Sequence, residues 1–271
     1  MYKGKKLQTI YMGGGTPTSL EGYQLSKILN VVKENFDLSN LLELTVEAGR
    51  PDSITREKLE ALKEVGVDRI SINPQTMQQK TLDLIGRYHT IEDIFESYKL
   101  AREVGFENIN MDFIIGLNGE ILEDVIDSFT KVRTFAPESV TIHSLALKRA
   151  ARLNTENKRE IMDNDLILSM INTATDTCAD LGLEPYYLYR QKNMAGNLEN
   201  IGFSKPGKEC LYNILIMEEK QTIIACGAGT SSKIVFGDCR IERIENVKDP
   251  KLYIERLDEM IMRKESMHGI D

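Results

Sequence analysis

Tryptophan is absent from the 271 residues, and cysteine (4), histidine (3) and proline (7) are scarce. Each shortage excludes something. The cysteines stand at 178, 210, 226 and 239, and no two have the short spacing of metal-binding thiolates. In a reducing compartment a free thiol is most often a small core residue, so these four are assigned no chemistry. Low proline with only 19 glycines, beside 41% hydrophobic and 28% charged residues, excludes collagenous, disordered and low-complexity classes. Cationic excess is missing too. Lys and Arg number 34 against 42 Asp and Glu, a formal charge of −8, which argues against nucleic acid as a partner. No apolar run is long enough to span a bilayer, and the opening residues carry no signal-peptide pattern, so a cytoplasmic protein without a membrane partner is expected.

What the sequence does contain is an apolar period that switches between two and 3.6, the mark of strands alternating with helices. Strands are expected near 7–12, 42–47, 68–73, 108–115, 138–144 and 184–189. Helix faces are traced by Leu25, Ile28, Leu29, Val32 and Phe36 with Ser19 as a start signal, and by Leu59, Leu62 and Val65 ahead of Gly66. Others follow: Ile91, Ile94, Phe95 and Tyr98 before Gly105, Leu122 to Val132, and Ile167 to Leu181 before Gly182. After about residue 195 the alternation stops. Two short strand-like runs (211–217 and 221–225), a turn at Gly227 and Gly229 and a charged helix from about 250 are expected there. The division expected is thus 1–195 for the main layer and 196–271 for a small α+β extension packed on it.

Strands joined by helical crossovers make a parallel sheet, either open and doubly wound or closed toward a barrel. Polar residues weigh on that choice. Thr45 and Glu47 share one strand face, as do Ser71, Asn73 and Gln75, Asn110 and Asp112, and Thr141 and His143. An open sheet covered by helices would bury apolar runs on both faces, so this pattern favours a barrel interior that holds a polar ligand near its carboxyl-end mouth.

Two groups of residues could carry chemistry. The segment Gly13-Gly14-Gly15-Thr16-Pro17-Thr18 follows a strand and precedes a helix. Its backbone N–H groups could hold a small anion, or it could be a flexible turn with no ligand. Glu47, Gln75, Arg87 and Asp112 would converge on one barrel mouth, where a ligand bearing an amino acid and a ribose could use all four. Alternatively Glu47 and Arg87 form a structural ion pair and Asp112 an internal hydrogen bond. His143 reads first as a satisfied structural group. Tyr186, Tyr187 and Tyr189 with Arg190 read as rings packed over the barrel, or as a pocket lining.

The ordered segments IYMGGGTPTSL, LTVEAGRPDSIT, RISINPQTM, IGRYHT and INMDFIIGL resemble the oxygen-independent coproporphyrinogen III oxidases, which are radical S-adenosylmethionine (SAM) enzymes. The later PYYLYRQKNMAGNLENIGFSKPGKECLYNI resembles the coproporphyrinogen dehydrogenase subgroup. The resemblance implies an incomplete parallel (β/α) radical-SAM-type barrel. It places Gly13, Gly14, Gly15 and Thr16 against the methionyl part of SAM. Glu47 would be the acidic strand-end residue, Gln75 and Asp112 would lie near the ribose, and Arg87 would face the methionyl carboxylate. It further implies a porphyrinogen substrate, an electron donor and a reduced [4Fe–4S] cluster, with which this family oxidatively decarboxylates propionates to vinyls.

Two departures stand out. The family's CxxxCxxC motif, expected ahead of the glycine segment, is absent, so the chain is expected to be a carboxy-terminal fragment with no metal ligands of its own, inactive alone. Gly116-Leu117-Asn118-Gly119 stands where the family commonly has Gly-Leu-Pro-Gly. A haem-binding or haem-delivery protein of the same family is the rival expectation. A barrel enzyme that uses the glycine loop for phosphate is a third, disfavoured by the lack of a nearby lysine.

Overall fold

The computed structural model describes residues 6–144, 164–189, 200–237 and 240–265. Five parallel strands follow one another across a curled sheet: β1 (Thr9–Met12), β2 (Glu43–Gly49), β3 (Arg69–Gln75), β4 (Ile109–Ile115) and β5 (Ser139–Ser144). Two more, β6 (Glu184–Tyr189) and β7 (Asn200–Ser204), complete it in the order β1-β2-β3-β4-β5-β7-β6. The result is a mostly parallel half-barrel with helices on its convex face.

Crossovers are supplied by α1 (Gly22–Asn35), α2 (Arg56–Glu64), α3 (Gln79–Leu84), α4 (Ile91–Val104) and α5 (Leu122–Phe135), with α6 (Asn164–Asp180) packed beside α5. Local chemistry sets their ends. Thr90 and Asp93 close a reciprocal capping box at the start of α4, and Gly105 ends it at φ 98°, a left-handed conformation that a side chain resists. The start of α1 lies two residues beyond the expected signal: Ser19 sits in a 3-10 turn over Pro17–Ser19, and Glu21 is the cap, paired reciprocally with Gln24.

One face of every central strand supplies the core. Leu44, Val46, Ile70, Ile72, Met111, Phe113, Val140 and Ile142 pack against Leu25, Leu59, Leu62, Ile94 and Phe129 from the helices. The alternate residues face the concave lumen, as the polar periodicity implies.

Three expectations are corrected. The strand at 184–189 is no sixth parallel member. β6 pairs antiparallel with β7, and β7 antiparallel with β5, so the sheet turns back on itself at this end. β7 itself goes unread because Asn200 and Gly202 give its five residues the composition of a loop. The run at 211–217 is helix α7 (Leu211–Glu218), whose apolar run, broken only by Asn213 before Glu218, carries no clear period to separate it from a strand. Residues 221–225 form only an isolated bridge from Ile223 to Lys233, and the hairpin beyond them is β8 (Ser231–Val235) with β9 (Ile241–Glu245).

Two compact units meet in sequence between Leu211 and Tyr212, so β7 belongs with the half-barrel. In the second unit the hairpin is followed by α8 (Pro250–Glu255) and α9 (Leu257–Glu265). Asn246 ties its turn together, donating to the Gly227 carbonyl (2.8 Å) and accepting from the Lys264 ammonium (2.6 Å).

Candidate functional site in the half-barrel lumen

The glycine segment leaves the carboxyl end of β1. Gly14 and Gly15 have φ of 81° and 63°, and a methyl group on either would meet nothing within 4 Å, so this backbone faces open space. Gly13 is the opposite case. A methyl there would lie 2.6 Å from the Tyr11 ring and 2.8 Å from Glu47, so only glycine lets the loop pass over these side chains. Thr18 anchors the following turn through its hydroxyl, which contacts the Ala48 carbonyl and the Ser53 hydroxyl.

Glu47, on the lumen face of β2, accepts hydrogen bonds from the Tyr11 hydroxyl and from the Gly14 N–H (3.2 Å). The carboxylate is therefore held against the glycine loop and not against a guanidinium. No ion pair joins Glu47 to Arg87 among the described residues, which removes the structural pairing entertained for these two. Tyr11 was not singled out in the sequence, although its alternation with Ile10 and Met12 already placed it on the polar face. Burial and the adjacent Glu47 carboxylate push its phenol far above the ordinary value, so it stays a neutral donor.

Asp112 occupies the lumen face of β4 within a polar chain that crosses three strands. The Asn110 amide donates to Asp112 (2.6 Å) and to Ser71 (3.3 Å), Ser71 donates to Asn73 (2.7 Å), and Thr141 donates to the Asn110 carbonyl oxygen (3.1 Å). His143, from β5, brings its Nε2 to 3.9 Å from Asp112 Oδ2. Burial alone would raise the Asp112 pKa, but His143 and the Asn110 and Thr141 donors outweigh it and hold the carboxyl below its ordinary value. Burial likewise opposes charge on His143, yet Asp112 and Glu47 outweigh it and the imidazole pKa is raised. His143 thus sits in the lumen beside Asp112.

At the antiparallel end of the sheet, the Tyr187 ring crosses the backbone of Gly202, and a methyl on Gly202 would lie 2.0 Å from it. Tyr187 stands 4.9 Å from Tyr186, centroid to centroid, and its burial raises its pKa, with Tyr186 and Asp112 adding to the effect. Two of the expected tyrosine cluster therefore meet edge-on, at an interplanar angle of 60°. Arg190 lies outside the described residues.

Gln75 is buried at the carboxyl end of β3, beyond a register irregularity between Ile72 and Gln75, and takes φ 71°, rare for a residue with a side chain. Arg87 is set apart from the lumen carboxylates. Its charged neighbours are Arg50 and Asp52, and half-burial, then the repulsion of Arg50, lowers its pKa. Arg50 is fixed by Asp52 and lies 5.8 Å from the centroid of the Tyr88 ring. Neither Arg50 nor Asp52 was recognised from sequence, because both sit in a turn without periodicity.

These groups can hold a molecule that combines a carboxylate with hydroxyl and amine donors. The open glycine backbone, the two lumen carboxylates and an Arg87 that forms no ion pair among the described residues suit SAM. The donor set for an iron–sulfur cluster is different. Among the described residues no three His, Cys, Asp or Glu gather as metal ligands. Cys178 and Cys210 are buried and Cys226 is exposed.

A polar-lined half-barrel with a glycine loop at its carboxyl-end mouth defines a small-molecule site of the (β/α)-barrel class. Within that class, a model of the radical SAM superfamily matches residues 1–132. The chain is 46% identical over 256 residues to the oxygen-independent coproporphyrinogen-III oxidase-like protein HemZ of Bacillus subtilis, covering 93% of this chain and 51% of that protein. It is 42% identical over 249 residues to the heme chaperone HemW of the same organism, covering 89% and 61%. The solved structure of Escherichia coli coproporphyrinogen III oxidase HemN, a radical SAM enzyme, superposes with a TM-score of 0.75 at 21% identity over 94% of this chain and 57% of that one. The chain belongs to the radical SAM superfamily, with HemZ, HemW and HemN among its homologues. It spans about half to three fifths of the length of these relatives. No helix of the described residues is long and apolar enough to cross a membrane.

Proposed function

We propose that the lumen binds SAM and that the protein to which this chain belongs oxidatively decarboxylates the propionate side chains of coproporphyrinogen III. The observation that carries the reading is the open glycine backbone at the mouth, joined through Gly14 to Glu47 and set beside the Asp112 network. Glu47 and Asp112 would accept from the ligand's amine and ribose hydroxyls, Gln75 would contact the ribose from the end of β3, and Arg87 would pair with the methionyl carboxylate. Thr16 would close the loop over the methionyl chain. When bound, SAM supplies the oxidising organic radical of this superfamily. The protein's part is to orient both partners and exclude water. Conversion of one propionate to a vinyl releases carbon dioxide, a proton and two electrons, so an electron acceptor joins the electron donor among the partners.

A second reading, haem binding or delivery, draws on the 42% identity with HemW. Anaerobic incubation of the cluster-loaded full-length protein with coproporphyrinogen III separates the two. Vinyl-bearing product supports the oxidase, while stable haem retention without turnover supports the carrier. Calorimetric titration with SAM tests what they share, and no saturable binding would count against both.

A further inference from the structure

The proposed SAM contacts leave one lumen group without a task. His143 lies on β5 two residues after Thr141, with 35% of its side chain exposed, and meets Asp112 at 3.9 Å. Asp112 from β4 and Glu47 from β2 act on it, and the phenols of Tyr11 from β1 and Tyr187 from β6 in turn lie within reach of the Asp112 charge. Both phenols are raised and stay neutral. The local balance is therefore two carboxylates against one imidazole. An imidazolium cancels one carboxylate charge, and a neutral imidazole leaves both available to a ligand.

A charge inside a partly closed, low-dielectric lumen acts strongly on its neighbours, so a cationic ligand group and an imidazolium compete for the same carboxylates. We propose that His143 sets the charge selectivity of this lumen by proton exchange: a ligand that places a cationic group between Glu47 and Asp112 expels the imidazolium proton to solvent. The inference rests on the SAM reading, because the sulfonium and ammonium of SAM are the cations concerned. In the step, one N–H bond of His143 breaks, the proton passes to buffer, and no electrons move. Asp112 and Glu47 hold the His143 pKa above its ordinary 6.5, so the imidazolium persists to higher pH than that of a free imidazole.

Calorimetry of SAM binding between pH 6 and 8.5, in buffers of differing ionisation enthalpy, reads this directly. The expected result is release of up to about one proton per SAM at the acid end and affinity rising by as much as about 10-fold per pH unit. 5′-Methylthioadenosine, which lacks both cationic centres, should bind without release. His143→Gln should abolish the release attributable to the protein, flatten the profile to that of the ligand's own amine, and bind SAM more tightly than the parent at pH 6. Asp112→Asn retains the imidazole but removes its nearest carboxylate, so any release should move to lower pH. Release that persists unchanged in His143→Gln, or parent binding with none at all, overturns the assignment while leaving SAM as the ligand. Failure of the parent to bind SAM at every pH overturns both.

Discussion

Adjacent residues on one strand do opposite work here. On β4, Met111, Phe113 and Ile115 face the helices and are essentially inaccessible, while Asn110 and Asp112 face the lumen and are spent on hydrogen bonds with one another and with β3 and β5. The same division holds for Leu44 and Val46 against Thr45 and Glu47, and for Ile70 and Ile72 against Ser71 and Asn73. The convex face is held by apolar burial, roughly 25 cal/mol for each Å² removed from water. The concave face gives up that gain, since a buried polar group is at best repaid by its hydrogen bonds. Stability and ligand recognition are thus separated by a single residue step, so substitutions one position apart should have different consequences.

The largest effect is expected on the convex side. Phe113→Ala removes a ring that packs 5.2 Å from Phe129 and should cost about 3–5 kcal/mol in urea unfolding. Asp112→Asn, its neighbour, should leave the fold intact by circular dichroism while SAM binding weakens, because an acceptor becomes a donor. An Asp112→Asn protein as unstable as Phe113→Ala would break the comparison.

Next in size is Arg87→Ala, expected to weaken SAM by about 1.5–3 kcal/mol, the worth of a charge-assisted hydrogen bond, with little change in unfolding. Unaltered affinity would remove Arg87 from the site. A smaller loss, about 1 kcal/mol of stability and none of affinity, should follow Thr90→Ala, which deletes the hydroxyl that caps α4. Smallest is the effect of His143→Gln on stability, below about 1 kcal/mol because a third of the imidazole meets solvent. Its sign depends on pH. A raised imidazole pKa stabilises the fold fully below the unfolded value of about 6.5, and that stabilisation is lost as pH rises through the folded value. The gap between parent and His143→Gln should therefore shrink between pH 6 and 8.5. Asp112 behaves oppositely, since its depressed pKa stabilises above the ordinary carboxyl value and is lost as acid protonates it.

How much of this was legible beforehand follows the same division. The period-two alternation of β2 to β5 gave both faces, because each central strand has one predominantly apolar side. Where that contrast fades, reading fails. β9 spaces Ile241 and Ile244 three apart among charged residues, and α7 is apolar apart from Asn213 and Glu218, so neither offers a clear period. The antiparallel return through β6 and β7 depends on pairing between segments, which no local pattern records. At the site, Glu47, Gln75 and Asp112 were readable as polar residues on strand faces and Arg87 as a loop guanidinium beside them, and the resemblance gave each a role. The partnerships were not. That Glu47 would meet Tyr11 and not Arg87, and that His143 would meet Asp112, follows from how strongly the sheet curls, a property of the whole sheet and of no single segment.

Gly202 shows that curvature acting at the scale of one atom. Its missing side chain is what allows the Tyr187 ring to lie across β7, 2.0 Å from where a methyl carbon would stand. An alanine there must either rotate the ring out into the lumen or part β6 from β7. The bore of the half-barrel at this end is therefore gauged by one absent carbon, and enlarging residue 202 would disturb the Tyr187 ring with its hydrogen bond to Thr141, or the pairing of β6 with β7.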